Sequence, residues 1–152
     1  MMQHRTDHVS AENRSEIMRA VKSRNVRSTE KALRAAMVGE GICGWRMYRQ
    51  NLPGVPDFVF AKQKLVIFVD GCFWHGCPKC YRRPHSNTRY WDAKVLGNIA
   101  RDRSVNKAYR IAGWRVLRIW EHKLVKSPAN CVRIIQHELT TKNKPYSTDK
   151  HR

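Results

Sequence analysis

Leu65-Val66-Ile67-Phe68-Val69-Asp70-Gly71-Cys72-Phe73-Trp74-His75-Gly76-Cys77-Pro78-Lys79-Cys80 is the stretch from which the rest of the chain can be read. Its first five residues form an uninterrupted apolar run, the pattern of a strand. The nine residues from Cys72 then bring together three thiols, one imidazole and two adjacent aromatic rings. Thiols spaced Cys-x4-Cys-x2-Cys can close on one metal ion, and the softness of sulfur favours zinc. Phe73 and Trp74 lie in the same loop. A metal-tied loop that cannot bury its own aromatics into a core is a rigid presenter of those rings.

The charge says what such rings would meet. Thirty Lys and Arg stand against twelve Asp and Glu, a net charge of +18, with a pI near 10.4. A chain this basic seeks a polyanion, and counterions released from phosphate drive the association. Nucleic acid is the expected partner. Hydrophobic content of 41% excludes a disordered basic tail, although residues 1–9 and 141–152 are polar and expected to be flexible. The length suits one domain over 1–152. Met1-Met2-Gln3-His4-Arg5 has no apolar core of a leader, and no stretch reaches the roughly 18 apolar residues of a membrane span. The expectation is a cytoplasmic monomer with no membrane partner, nucleoid-associated when bound to DNA. Clustered thiols there bind metal more often than they form disulfides. Cys43 and Cys131 stand apart and read as small buried hydrophobes.

The elements come in a clear order. Residues 11–23 predict a helix with Ile17, Met18 and Val21, and a second begins near Ser28 with the stripe Leu33, Ala36 and Met37. Gly39 and Gly41 end it. Extended segments are expected near 45–50, 57–61 and 64–69, the second set by Pro53-Gly54-Val55-Pro56, which forbids helix. A long helix runs from about Tyr90 to Ile111, with Trp91, Val95 and Ile99 at four-residue intervals. Gly113 stops it, residues 114–120 read as a buried strand, and Asn130 is the expected cap of a last helix to about Leu139. The order gives one α/β domain with a mixed sheet flanked by helices.

Acids are few enough to weigh singly. Asp57 heads a strand after Pro56, and Glu30 shares a helix face with Leu33 and Met37, so it points toward the protein body. Together they can hold a hard cation such as Mg²⁺ through oxygen. The ordinary readings are a turn aspartate and a first-turn glutamate complementing the helix dipole. Asp70 is a further candidate ligand. His75 suits a general acid or base, or else a fourth zinc ligand, a place for which His85, His122 and Cys131 also compete. His122 has the stronger claim of these, since it comes after a strand end that can be held still.

Leu52-Pro53-Gly54-Val55-Pro56-Asp57-Phe58, Val66 through His75, Tyr90-Trp91, Asn98 with Arg101-Asp102, and Gly113-Trp114-Arg115-Val116-Leu117 through Trp120-Glu121 resemble the very-short-patch-repair (Vsr) mismatch endonucleases. Ser15 to Ala20 and Thr29-Glu30-Lys31 are similar to that family's start. The resemblance runs in unbroken order over roughly residues 10 to 140. It implies a restriction-endonuclease-like core with a structural zinc loop. It also implies an enzyme that nicks double-stranded DNA 5′ of the thymine in a T·G mismatch, initiating repair of deaminated 5-methylcytosine. The implied catalytic set is Asp57, His75 and Glu30. The implied Mg²⁺ contacts are Asp57 and, through its backbone carbonyl, Val69. The implied zinc ligands are Cys72, Cys77, Cys80 and His122. Phe73, Trp74 and Trp91 fall on the wedge that enters the stack beside the mismatch, and Asn98 belongs with the DNA contacts. Trp91 also heads an apolar helix stripe, which suits a core residue equally.

Beside one well-known member of that family, the chain departs at Val69 and Asp70, where that member has Thr and His, and exchanges Cys and His at Cys77 and His122. Cys80 is offset by one residue from the family's third zinc ligand. Those changes leave a second reading open: a zinc-stabilised DNA-binding protein of the same fold with impaired catalysis.

Overall fold

The computed structural model describes residues 28–141 together with Asn13 and Glu16. The helix expected over 11–23 lies outside the described residues apart from those two. Helix α1 is described over 28–39 and buries Thr29, Glu30, Leu33 and Met37 on one face. It ends as its glycines require. Gly41 adopts φ +69°, Ile42 N–H reaches back to Met37 O at 2.9 Å, and Gly41 N–H reaches Val38 O at 3.0 Å. That pair of bonds satisfies carbonyls that the last turn leaves open.

Four strands come next, β1 (Arg46–Met47), β2 (Phe58–Phe60), β3 (Leu65–Asp70) and, after helix α2 (Thr88–Ile111), β4 (Arg115–Trp120). They lie in the order β1-β2-β3-β4. The first two pairings are antiparallel, and β3 runs parallel to β4 over six residues, from Leu65 opposite Arg115 to Asp70 opposite Trp120. A parallel pair needs a crossover, and α2 with the cysteine loop supplies it. Two helices complete the described residues, α3 (Glu121–Lys126) and α4 (Pro128–Thr140).

All of β3 is buried, so both faces of the sheet are covered. Leu65, Ile67 and Val69 pack with Phe58, Phe60, Leu117 and Ile119 against Leu33 and Met37 of α1 and against Leu124, Cys131, Val132 and Ile135 of α3 and α4. Val66 and Phe68, on the alternate positions, pack with Val59, Val116 and Tyr109 under α2. The mixed sheet flanked by helices is as expected, and the strands and α2 fall within a few residues of their sequence readings. Cys131 is buried as expected, whereas Cys43 is exposed.

Two readings are corrected. Ser127, not Asn130, caps α4: its hydroxyl accepts the Asn130 N–H at 3.3 Å, and Pro128 occupies the first helical turn. Helix α3 is additional to the elements expected from sequence; it is six residues long and its N-terminus has no side-chain cap.

Gly76 seats the cysteine loop on α2. Its φ is +62°, and an added Cβ would lie 3.0 Å from Ile99 Cδ1 and 3.1 Å from Val95 Cγ1. Gly76→Ala is therefore expected to destabilise the fold by roughly 1–2 kcal/mol, the cost of a left-handed non-glycine residue. Thermal unfolding checks this, and an unchanged midpoint would show that the loop is not held against the helix.

Candidate active site and metal centre

Parallel pairing ends β3 and β4 at the same level; the chain leaves β3 into the cysteine loop and β4 directly into α3. From the loop after β3 come Cys72, Cys77 and Cys80; from the first turn of α3 comes His122. One donor atom from each lies within 4.8 Å of every other. Cys72 Sγ is 3.2 Å and Cys77 Sγ 3.6 Å from His122 Nδ1. Tetrahedral zinc, with bonds of about 2.3 Å to sulfur and 2.0–2.1 Å to nitrogen, sets neighbouring ligands roughly 3.5–3.8 Å apart. The donor set fits such an ion. Burial, and behind it the two neighbouring thiols, push Cys72 up to about 12 against the opposing pull of His122. A bound cation is what makes such thiols thiolates at neutral pH. Burial, then Lys123, Lys79 and Lys126, lower His122 below the usual histidine range, which keeps the imidazole neutral, as ligation needs. The four residues named from sequence thus converge, including Cys80 with its offset. Glu121 steadies the loop from the α3 side by accepting the Cys72 N–H at 3.3 Å.

The second centre lies at the junction of α1, β2 and β3. Asp57 donates its backbone N–H to Ile67 O at 3.0 Å. Its carboxylate Oδ2 accepts the Val69 N–H at 2.7 Å. Glu30, only 3% exposed, lies within hydrogen-bonding reach of Asp57. Burial raises Asp57 to about 8; the Val69 amide opposes, and the carboxylates of Glu30 and Asp70 add to the rise. A packed acid that resists losing its proton marks a site short of positive charge, the condition a divalent cation relieves. Sequence reasoning missed Tyr48, whose hydroxyl donates to Glu30 Oε2 and whose backbone is left-handed at φ +49°.

His75 stands in a third group. Its Nδ1 is 2.7 Å from Asp102 Oδ2 and 3.9 Å from Asp70 Oδ1, and the three residues could also hold a metal. Burial raises the Asp70 carboxyl, against the pull of Arg118 and then His75. Asp102 belongs to the family pattern, yet sequence reasoning gives it no role. The signal was available: Asn98, Asp102 and Asn106 continue the buried face of Trp91 and Val95 at four-residue spacing, where solvated charge has no place.

Phe73 forms the centre of an aromatic group, with ring centroids 5.3 Å from Trp74, 5.3 Å from Trp91 and 5.7 Å from Tyr81. Phe73 and Trp74 are half-buried, whereas Trp91 is 7% exposed and backs them from α2. Asn98, expected at the DNA, is buried and donates its amide to Trp74 O at 2.8 Å.

Known proteins give the class of this chain first. It is 42% identical over 121 residues to the type II nicking enzyme V.XorIIP of Xanthomonas oryzae pv. oryzae, covering 78% of this chain and 87% of that one. It is 39% identical over 137 residues to the type II nicking enzyme V.NaeI of Lentzea aerocolonigenes, covering 80% of each. The DNA mismatch endonuclease Vsr of Escherichia coli (strain K12) is 40% identical over 110 residues, 71% of this chain and 69% of its own. Residues 6–82 match the family described as DNA mismatch endonuclease Vsr. The chain belongs to that family.

Asp57 carries a stability consequence. A carboxyl raised from 3.8 to about 8 binds its proton more tightly when folded than when unfolded, so without a cation the fold loses stability as pH climbs from about 4 to about 8. Asp57→Asn removes that loss. With zinc retained and no Mg²⁺ added, the variant is expected to melt above the wild type at pH 8, with the difference vanishing near pH 4. A lower melting point at both pH values would mean that the carboxylate supports the fold.

Proposed function

We propose that the chain is a Mg²⁺-dependent endonuclease that nicks one strand 5′ of the thymine in a T·G mismatch, starting very short patch repair of deaminated 5-methylcytosine. The carrying observation is the Asp57–Glu30 carboxylate pair joined to Val69, with the His75–Asp102 pair linked to it through Asp70. A single restriction-endonuclease-like domain acting as a monomer on double-stranded DNA accommodates this arrangement.

Phosphodiester hydrolysis needs an attacking water made nucleophilic and negative charge stabilised on the phosphate and the leaving 3′ oxygen. Bound Mg²⁺ supplies charge stabilisation and activates water. Asp57 would hold it, with the Val69 carbonyl as a second oxygen; Glu30 shares the charge of the pocket and Tyr48 orients Glu30. Asp102 occupies Nδ1 of His75, so Nε2 is the nitrogen left to move a proton. Cys72, Cys77, Cys80 and His122 fit a structural zinc that fixes the loop carrying His75, Phe73 and Trp74. A T·G wobble pair stacks less stably than a matched pair, so opening that step for Phe73 and Trp74 costs less there than elsewhere. Trp91 supports the two rings from beneath. The alternative of a fold that has lost catalysis is disfavoured by the intact Asp57, Glu30 and His75 set.

The test is a nicking assay on a duplex with one T·G pair, with Mg²⁺ and then with EDTA. Wild type is expected to cut 5′ of the thymine only with Mg²⁺. His75→Ala should keep zinc and duplex affinity while nicking falls roughly 10²–10⁴-fold, the worth of a positioned acid or base. Loss of zinc together with activity would return His75 to the zinc site, and no cutting by wild type would favour the binding protein.

The loop generates two more measurements. Purified protein should contain about one zinc per chain, and Cys77→Ser should lose it together with solubility; active protein free of zinc would remove the structural ion. Phe73→Ala should weaken binding to the mismatched duplex more than to the matched one, by up to the 1–3 kcal/mol typical of one stacked base. Equal losses would mean that the ring gives packing or general affinity.

A further inference from the structure

Arg118 interrupts the apolar strand β4, and its side chain is 12% exposed. One nitrogen of its guanidinium, Nη1, points into the His75 group. Nη1 donates to Asp70 Oδ1 at 2.8 Å and lies 3.2 Å from Asp102 Oδ1. Nε donates to Asn106 Oδ1 at 2.9 Å, and the plane rests on Phe68, 4.5 Å from its ring centroid. A planar fork seated on a ring and bonded on two edges has little freedom.

Two buried carboxylates face one imidazole here. Asp102 holds Nδ1 at 2.7 Å, and Asp70 stands 3.9 Å away with its Oδ2 buried and without a hydrogen-bond partner. An unpartnered buried oxygen is a strong acceptor, so Asp70 competes for the histidine. We propose that Arg118 is a positioning residue that decides the competition: it holds Asp70 back, ties Asp102 by Oδ1, and so leaves Asp102 Oδ2 as the oxygen that orients His75. The proposal rests on the reading of His75 as the proton-transferring group. Without the guanidinium the two carboxylates repel each other and the ring is free to turn toward Asp70, carrying Nε2 off its line to the phosphate.

Single-turnover nicking of a T·G duplex by Arg118→Met tests this, beside His75→Ala, the Asp70→Asn/Arg118→Met double variant and the His75→Ala/Arg118→Met double variant. Arg118→Met should keep zinc and half-saturating DNA concentration while its rate falls roughly 10–100-fold, the scale of a misplaced catalytic group. Asp70→Asn/Arg118→Met, which removes the competitor with its restraint, should recover most of that rate and also guards against misfolding of the single variant. In the His75→Ala background Arg118→Met should add no further loss. A wild-type rate for Arg118→Met, a full additional loss without His75, no recovery in the Asp70 double variant, or failure of both Arg118→Met and that double variant to fold would overturn the proposal. If His75→Ala itself nicks normally, the proton-transfer reading falls first, and that result stands apart from every Arg118 outcome.

Discussion

The parallel pairing of β3 with β4 is the constraint on which the rest of this molecule depends. Its six-residue register, from Leu65 opposite Arg115 to Asp70 opposite Trp120, ends both strands together. The cysteine loop leaves the end of β3, and α3 with His122 leaves the end of β4. One register therefore brings together thiol and imidazole donors about fifty residues apart in the chain. It also sets Phe68 opposite Arg118, which places the guanidinium over that ring and at the level of Asp70. A slip of one residue would turn Arg118 to the opposite face of the sheet, into the core lined by Leu117 and Ile119. The site sits where open α/β sheets favour sites, beyond the carboxyl ends of parallel strands.

Charge is arranged in two tiers. The chain carries +18 overall, yet Glu30, Asp57, Asp70 and Asp102, four of its twelve acids, converge at the strand ends. The basic exterior draws a polyanion from a distance of about a Debye length. The acidic interior would repel the same phosphate, and within it burial raises Asp57 to about 8. A divalent cation, which Asp57 would hold under the proposed function, would supply the positive charge that reconciles them. At the neighbouring Asp70–Asp102 pair the compensating cation is the protein's own guanidinium.

How much of this is legible in sequence depends on whether the physics is local. The apolar run 65–69, the helix-forbidding Pro53-Gly54-Val55-Pro56 and the four-residue stripe of α2 are each decided by neighbours in sequence, and each reads closely. Cys72, Cys77 and Cys80 announce a metal by spacing, but the choice of His122 over His75 needs the family pattern, because spacing does not say which strand end faces the loop. Helix α3 is invisible because six residues without a capping side chain carry no signal beyond propensity. Asn130 passes for the cap because Ser127 and Asn130 are both good caps and Pro128 decides between them. Arg118 reads in sequence as an ordinary cation among thirty; only the fold shows it facing Asp70 and Asp102.

Recognition and chemistry are joined through α2. Asn98 and Asp102 are one turn apart on its buried face, and they hold consecutive residues of the loop: Asn98 the carbonyl of Trp74 at 2.8 Å, Asp102 the ring of His75 at 2.7 Å. Val95 and Ile99 close the same face against Gly76. The half-buried rings and the histidine are thus fastened to a rail of 24 residues, with the four-ligand cluster fixing the other side of the loop. A flexible loop would have to order its backbone on each encounter, at about 1–2 kcal/mol per residue. Here that ordering is complete before DNA arrives, so energy gained by stacking is not spent on it. Under the proposed function, because Trp74 and His75 share a peptide bond, a ring that seats beside a mismatch would fix the imidazole as well, and a ring that does not seat would leave it misaligned.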